Sequence, residues 1–298
     1  MAQSQPQSQP QSPWLPLAGM DRRRLSEARL MAHYAAQWLA RSARAYVSAK
    51  PDDSHTNLGW DDAFNGFNTH PLLDGARLGL RLRDLTLTIA TPQGMEQSFA
   101  LDGRRETDVR AWLGGLVSAK GLDARALDAP SPYEMPAFAV ATGSPYAADG
   151  EALGALAAWY TNANTALEEA RRALAARGPA APAVRCWPHH FDLDSLVYFS
   201  AGKDARSMGL GFSPGDDYYD EPYFYVSLHP APAVAFAPLP SIAHWHTHHF
   251  TAAVAPASRI LAAADQRGET RSYLASAIDF AIKALGPGGR KVTSDIAG

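Results

Sequence analysis

The feature that most constrains this fold is the stretch from Leu153 to Leu174. Leu153, Leu156, Tyr160, Ala163, Leu167, Ala170 and Leu174 follow one another in steps of three and four, with Arg171, Arg172 and Arg177 near the end and Gly178-Pro179 as a stop. That spacing predicts a long amphipathic helix that must bury one face against a partner. A second helix is expected over 21–48, where Met31, Tyr34, Ala35, Trp38, Ser42, Ala45 and Tyr46 keep the same intervals between Asp21, a plausible N-cap, and Pro51.

Strand signals fall between and after these helices. Leu78, Leu80 and Leu82 alternate with arginines, and Leu85, Leu87 and Ile89 alternate with Asp84, Thr86 and Thr88. The parity change at Arg83-Asp84 predicts a turn or bulge there. A third strand is expected over 97–101 after the Pro92-Gln93-Gly94 turn, then a short helix from Thr107 as N-cap to Gly121. Further strands are predicted over 195–200, 207–212 and 222–228, and a helical pair over 256–285, interrupted near Gly268 and stopped by Gly286-Pro287. The order helix, polar histidine segment, strands, helix thus occurs twice. The fold class expected is α+β, mainly antiparallel sheet flanked by helices, with two similar halves at 14–129 and 130–298. The first 13 residues, a Gln/Ser/Pro repeat with too few apolar side chains to pack, are expected to be disordered.

Composition narrows the function classes. With 27 basic and 30 acidic side chains in 298 residues, the chain lacks the basic footprint that a phosphate backbone requires, so nucleic acid is not an expected partner. No run approaches the ~20 apolar residues that cross a bilayer, and the amino-terminal stretch lacks the pattern of a secretory signal. The single cysteine, Cys186, excludes an internal disulfide and fits a reducing compartment, so a cytoplasmic location is expected.

Candidate chemistry concentrates in the second half. Ala243-His244-Trp245-His246-Thr247-His248-His249 places four of the ten histidines within six residues. An extended backbone would turn His244, His246 and His248 to one face, as a Zn or Fe ion requires of neutral imidazoles. His189, His190 and Asp192 in Trp187-Pro188-His189-His190-Phe191-Asp192 are expected to bring further ligands. Asp216 or Glu221, from the acidic loop, is the expected general base or orienting group. The same groups, with a rim of Tyr218, Tyr219, Tyr223 and Tyr225, also suit a metal-free pocket for a small polar ligand. They suit a purely structural role as well. Tyr223 and Tyr225 are expected to share one sheet face. His55, Trp60, Asp61 and His70 in the first half read first as a hydrogen-bonded loop.

Recognised catalytic patterns are missing. There is no H-E-x-x-H helix, no phosphate loop and no G-x-S-x-G elbow; in Gly211-Phe212-Ser213-Pro214-Gly215, Pro214 removes the N–H that would help form an oxyanion hole. The blocks Cys186 to Asp192, Gly209 to Asp216, Glu221 to Val226 and His244-Trp245-His246, with Pro132-Tyr133-Glu134-Met135-Pro136 upstream, resemble an uncharacterised family of bacterial proteins. That resemblance covers most of the chain and implies no known reaction. His248 and His249 lie outside the shared blocks, which moves the ligand expectation to His244 and His246. The reading that results is a divalent-metal pocket acting on a small molecule, as a hydrolase or oxidoreductase, with the metal-free binding module as the alternative.

Overall fold

A computed structural model describes residues 14–72, 75–177 and 180–286. The expected disordered start and the stop signals at Gly178-Pro179 and Pro287 lie outside these residues. Two long helices organise the molecule: α1 (Arg22–Tyr46) and, further on, α3 (Gly150–Ala175). Asp21 caps α1 by accepting from Arg24 N at 3.0 Å, and Asp149 caps α3 by accepting from Ala152 N at 3.2 Å. All residues from Met31 to Ala40 are buried, so α1 is a central helix covered all round rather than a surface helix. It packs against α3, and both touch the sheets.

The first sheet is an antiparallel meander in the order β1 (Gly59–Asp61), β2 (Gly66–Asn68), β3 (Arg77–Arg81), β4 (Thr86–Thr91), β5 (Gly94–Ala100). The parity change seen in the sequence is a 3₁₀ turn over Leu82–Asp84, closed by Leu85 in the left-handed region at φ 46°. Helix α2 (Glu106–Ala119) follows, its N-cap at Arg105 two residues earlier than the expected Thr107, because Asp108 reaches back to accept from Arg105 N at 2.8 Å.

The second sheet has six antiparallel strands: β6 (Arg185–Trp187), β7 (Asp192–Tyr198), β8 (Ser207–Ser213), β9 (Tyr223–His229), β10 (His244–His246) and β11 (Ala252–Pro256). Their spatial order is β10-β11-β9-β8-β7-β6. Four short strands were not expected: β1 and β2 in the first sheet, and β6 and the alanine-rich β11 in the second. Helices α4 (Ala257–Leu261) and α5 (Gln266–Leu285) close the chain. The interruption lies at 262–265, and Gly268 sits inside the first turn of α5, where Asp265 accepts from its N–H at 2.9 Å.

The fold is therefore α+β, with two antiparallel sheet units. Leu58 and Cys186 exchange two backbone hydrogen bonds of 2.9 Å, so β1 and β6 meet edge to edge. One buried cluster runs through both halves, including Leu39, Leu80, Leu153, Leu210 and Phe224. Among the described residues no helix is long and apolar enough to cross a membrane.

Candidate functional site

Register decides which side chains share a face of the second sheet. Asp194 pairs with Gly211, Gly211 with Tyr225, Tyr225 with Val254 and Val254 with His244. The neighbouring row runs Leu196, Gly209, Ser227, Ala252, His246. Directly opposed residues point the same way, so these rows form the face turned away from Leu193, Leu210, Phe224 and Ala253 of the core. Tyr223 and Tyr225 do share that face. With Ala252 and Val254 under Tyr219 and Phe250, they form a small apolar cluster of their own.

Gly209 and Gly211 hollow this face. A Cβ on Gly211 would collide with the ring and hydroxyl of Tyr225 and lie 2.7 Å from Leu193 O. A Cβ on Gly209 would lie 3.2 Å from Asp194 Oδ1. The missing side chains let Tyr225 lie across β8 and donate to Asp192 Oδ2 on β7 at 2.5 Å. Tyr223 donates to Asp216 Oδ2, also at 2.5 Å. Asp216 accepts in addition from the N–H groups of Tyr218 (2.8 Å) and Tyr219 (3.0 Å), which shapes the β8–β9 loop.

A cavity of about 200 Å³ opens here. His190 and Asp192 stand at one end, Ser213 and Asp216 beside the loop, Tyr223, Tyr225 and Ser227 along β9, and Tyr218 and Phe250 at the rim. Asp192 Oδ1 and Asp194 Oδ1 are sealed from solvent and have no hydrogen-bond partner. Burial raises the pKa of both carboxyls above the ordinary aspartate value, and the Asp192 charge raises that of Asp194 further; burial, then Asp192 and Asp194, raises that of Tyr225. Asp194 was not anticipated, although Asp192-Leu193-Asp194 on a strand necessarily sends both carboxyls to one face.

The turn that carries His189 and His190 is held from behind. His33 Nε2 donates to Pro188 O at 2.8 Å, and Gln37 Nε2 donates to the same oxygen at 2.9 Å. These two bonds satisfy polar side chains in the buried middle of α1. The His33 ring stacks on Phe191 at 5.1 Å between centroids, and Tyr160 Oη donates to Phe191 O at 2.5 Å. Phe191 has φ 60°. The His189 and His190 rings lie 4.3 Å apart, and burial, then His190, lowers the His189 pKa to about 4.

At the other edge of the sheet, His244 and His246 converge on one phenol. Tyr219 Oη lies 2.9 Å from both His244 Nε2 and His246 Nδ1. His246 Nε2 is 2.7 Å from His248 O and must donate to that carbonyl. A neutral His246 then accepts from Tyr219 at Nδ1, and Tyr219 accepts from His244 Nε2–H. The chain of bonds ends at His244 Nδ1, which is buried and unpartnered. Burial, followed by Arg259 and His246, lowers the His244 pKa.

The expected ligand residues therefore fall into two groups. β10 and β7 are separated by β11, β9 and β8, four strand spacings or roughly 19 Å across the sheet. His189, His190 and Asp192 lie on one side, His244 and His246 on the other, and Asp216 and the tyrosines lie between. Among the described residues no group of three or more His, Cys, Asp or Glu is arranged to hold a metal ion. His248 does not share the face of His244 and His246, because β10 ends at His246 and the chain turns through His249 at φ 67°. Glu221 is engaged elsewhere: it accepts from Ser258 N (2.6 Å) and Ser258 Oγ (2.9 Å) at the start of α4.

The remaining sequence candidates have internal partners. Ser213 ends β8, where its Oγ accepts from Gly215 N at 3.2 Å, a strand-to-loop corner rather than a nucleophile elbow. Trp245 points to the opposite face and donates to Ala237 O. In the first half, His70 Nε2 bonds Asn57 Oδ1, Asp61 accepts from Ala63 N and Phe64 N, and Trp60 stacks on Tyr160. Comparison with known families, curated proteins and solved structures returned no match to the chain.

Proposed function

We propose that the chain is a binding module for a small polar molecule, seated in the cavity on the open face of the six-stranded sheet. One observation carries this reading: a cavity of about 200 Å³ that gathers His190, Asp192, Ser213, Asp216, Ser227 and the tyrosines of β9 on one face of the sheet. Polar side chains converging on a concave site are what fixes the orientation of a small polar ligand. The lone buried thiol of Cys186 supports a reducing, cytoplasmic setting. The test is thermal unfolding against a panel of small polar molecules, run with a chelator present. The reading expects a ligand whose stabilisation survives the chelator and is lost in Tyr225→Phe. A panel that stabilises only in the chelator's absence contradicts it.

A second reading rests on a different observation, the bare lone pair of His244 Nδ1 beside the imidazole of His246. In this reading a divalent Zn or Fe ion binds at His244 and His246, with His189, His190 and Asp192 forming a separate group, and Asp216 serves as general base in a hydrolytic or oxidative reaction on a small molecule. Elemental analysis of the untagged protein tests it: stoichiometric metal must be present and must disappear in a His244→Ala/His246→Ala variant.

A further inference from the structure

We infer that the ligand of this cavity is an uncharged polyhydroxylated ring, a single sugar or cyclitol unit; the inference rests on the binding-module reading above.

The carboxyls of the cavity select an uncharged ligand. Asp192 and Asp216 are among the lining side chains and no lysine or arginine is, so an anion would meet two carboxyls. A cation is not called for either. Asp216 accepts from Tyr218 N, Tyr219 N and the Tyr223 hydroxyl, and it interacts with the charge of Arg29. Asp192 accepts from the Tyr225 hydroxyl, and burial favours its uncharged form. Neither carboxyl waits for a counter-ion.

Hydrogen-bonding capacity selects hydroxyl groups. Ser227 Oγ accepts from Gly209 N at 3.1 Å, which leaves its O–H to donate. Ser213 Oγ accepts from Gly215 N at 3.2 Å and can turn its O–H to Tyr223 or to a ligand. Tyr223 and Tyr225 donate their protons to Asp216 and Asp192, so to a ligand their phenol oxygens can only accept. A ligand hydroxyl answers both kinds of group, since it donates and accepts at one atom. Shape selects a puckered ring over a planar one. The Tyr223 and Tyr225 rings are tilted by 50° and the Tyr218 and Phe250 rings by 73°, with centroids 6.0 and 5.1 Å apart. Neither pair offers parallel faces to sandwich a flat heterocycle, whereas tilted rings present their negative faces to C–H bonds that point in several directions. At about 200 Å³ the cavity is smaller than sites that enclose whole drug-sized molecules, so it takes one ring.

Two sources share this chemistry, a free sugar or cyclitol and the end ring of a larger glycan. Saturation-transfer NMR titrations on the full chain, in chelator, separate them. Glucose and myo-inositol represent the free source, and the methyl glycosides of glucose, galactose, mannose and xylose represent the glycan end. Saturable transfer to the C–H protons of at least one of these is expected, with the tighter group naming the source. Ser227→Ala, which removes a donor, and Tyr218→Ala, which removes a ring face, should each weaken binding about two- to tenfold while circular dichroism stays unchanged. Methyl glucuronide, which adds a carboxylate to the same ring, should bind at least about tenfold more weakly than methyl glucoside. Tighter binding of the glucuronide, of methyl glucosaminide with its ammonium, or of planar uracil than of every neutral ring polyol overturns the assignment and leaves the pocket standing. Polyol binding unchanged in both variants puts the ring elsewhere and overturns it too. No binding by any neutral polyol in the wild-type chain also overturns it, and the broader thermal panel then judges the pocket separately.

Discussion

Gly211→Ala tests the construction of the cavity floor. The added methyl would overlap the Tyr225 ring and hydroxyl and approach Leu193 O to 2.7 Å. Strand backbone on both sides limits relief, so Tyr225 must swing off β8 and surrender its 2.5 Å bond to Asp192. Losing a hydrogen bond to a buried carboxyl costs about 1.5–3 kcal/mol, and overpacking adds about 1–3 kcal/mol. A destabilisation of about 3–5 kcal/mol follows, which at this chain length lowers Tm by roughly 6–10 °C. Urea unfolding measures the free energy directly. A cycle with Tyr225→Ala isolates the clash: in that background Gly211→Ala should cost about 1–3 kcal/mol less than in the wild-type chain. A single variant within about 0.5 kcal/mol of wild type, or strictly additive effects, would refute the claim that β8 is hollowed to seat the tyrosine.

Three further outcomes are expected. His33, whose pKa burial depresses to about 4, is neutral in the folded chain while the unfolded chain takes up a proton near pH 6.5. Its contribution is therefore complete above pH 6.5 and is lost as pH falls towards 4, by about 3 kcal/mol in all; the wild-type minus His33→Gln stability difference should shrink over that window, and a flat difference contradicts it. Cys186 is buried and its thiol pKa is raised by burial, so it should resist a thiol reagent until the chain unfolds, and rapid labelling of the native protein would be a failure. Long-range ¹H–¹⁵N spectra of the imidazoles should show the proton on Nε2 in both His244 and His246 near neutral pH, and an Nδ1-protonated His246 would break the bond chain through Tyr219.

Much of the fold is legible in local pattern. The helices around Trp38 and Tyr160, the turn at Arg83-Asp84 and the strands around Ser195, Leu210 and Tyr225 follow from periodicity and breaker residues alone. Strand β11 is hidden because Thr251-Ala252-Ala253-Val254-Ala255 carries a helix-favouring composition, and tertiary pairing with β9 overrides it. The histidine alternation marks an extended segment, but the strand covers only His244–His246, since the chain turns beyond it and His249 occupies the left-handed region. Spatial separation of His190 from His246 could not be read at all, because it depends on β11 inserting between β10 and β9. The pocket itself leaves a trace in the sequence. Gly209-Leu210-Gly211 leaves one face of β8 without side chains, with Gly211 opposite Tyr225, and Asp192-Leu193-Asp194 repeats the period.

Backbone amide spectra of the labelled protein during titration with the small polar molecule that most raises its Tm, in chelator, test the central claim most directly. The account predicts saturable shifts grouped at Asp192, Asp194, Gly209, Gly211, Tyr225 and Ser227, with the first-half loop around His70 silent. Shifts centred on other parts of the molecule, or a spectrum that responds only when a divalent metal is restored, would contradict it.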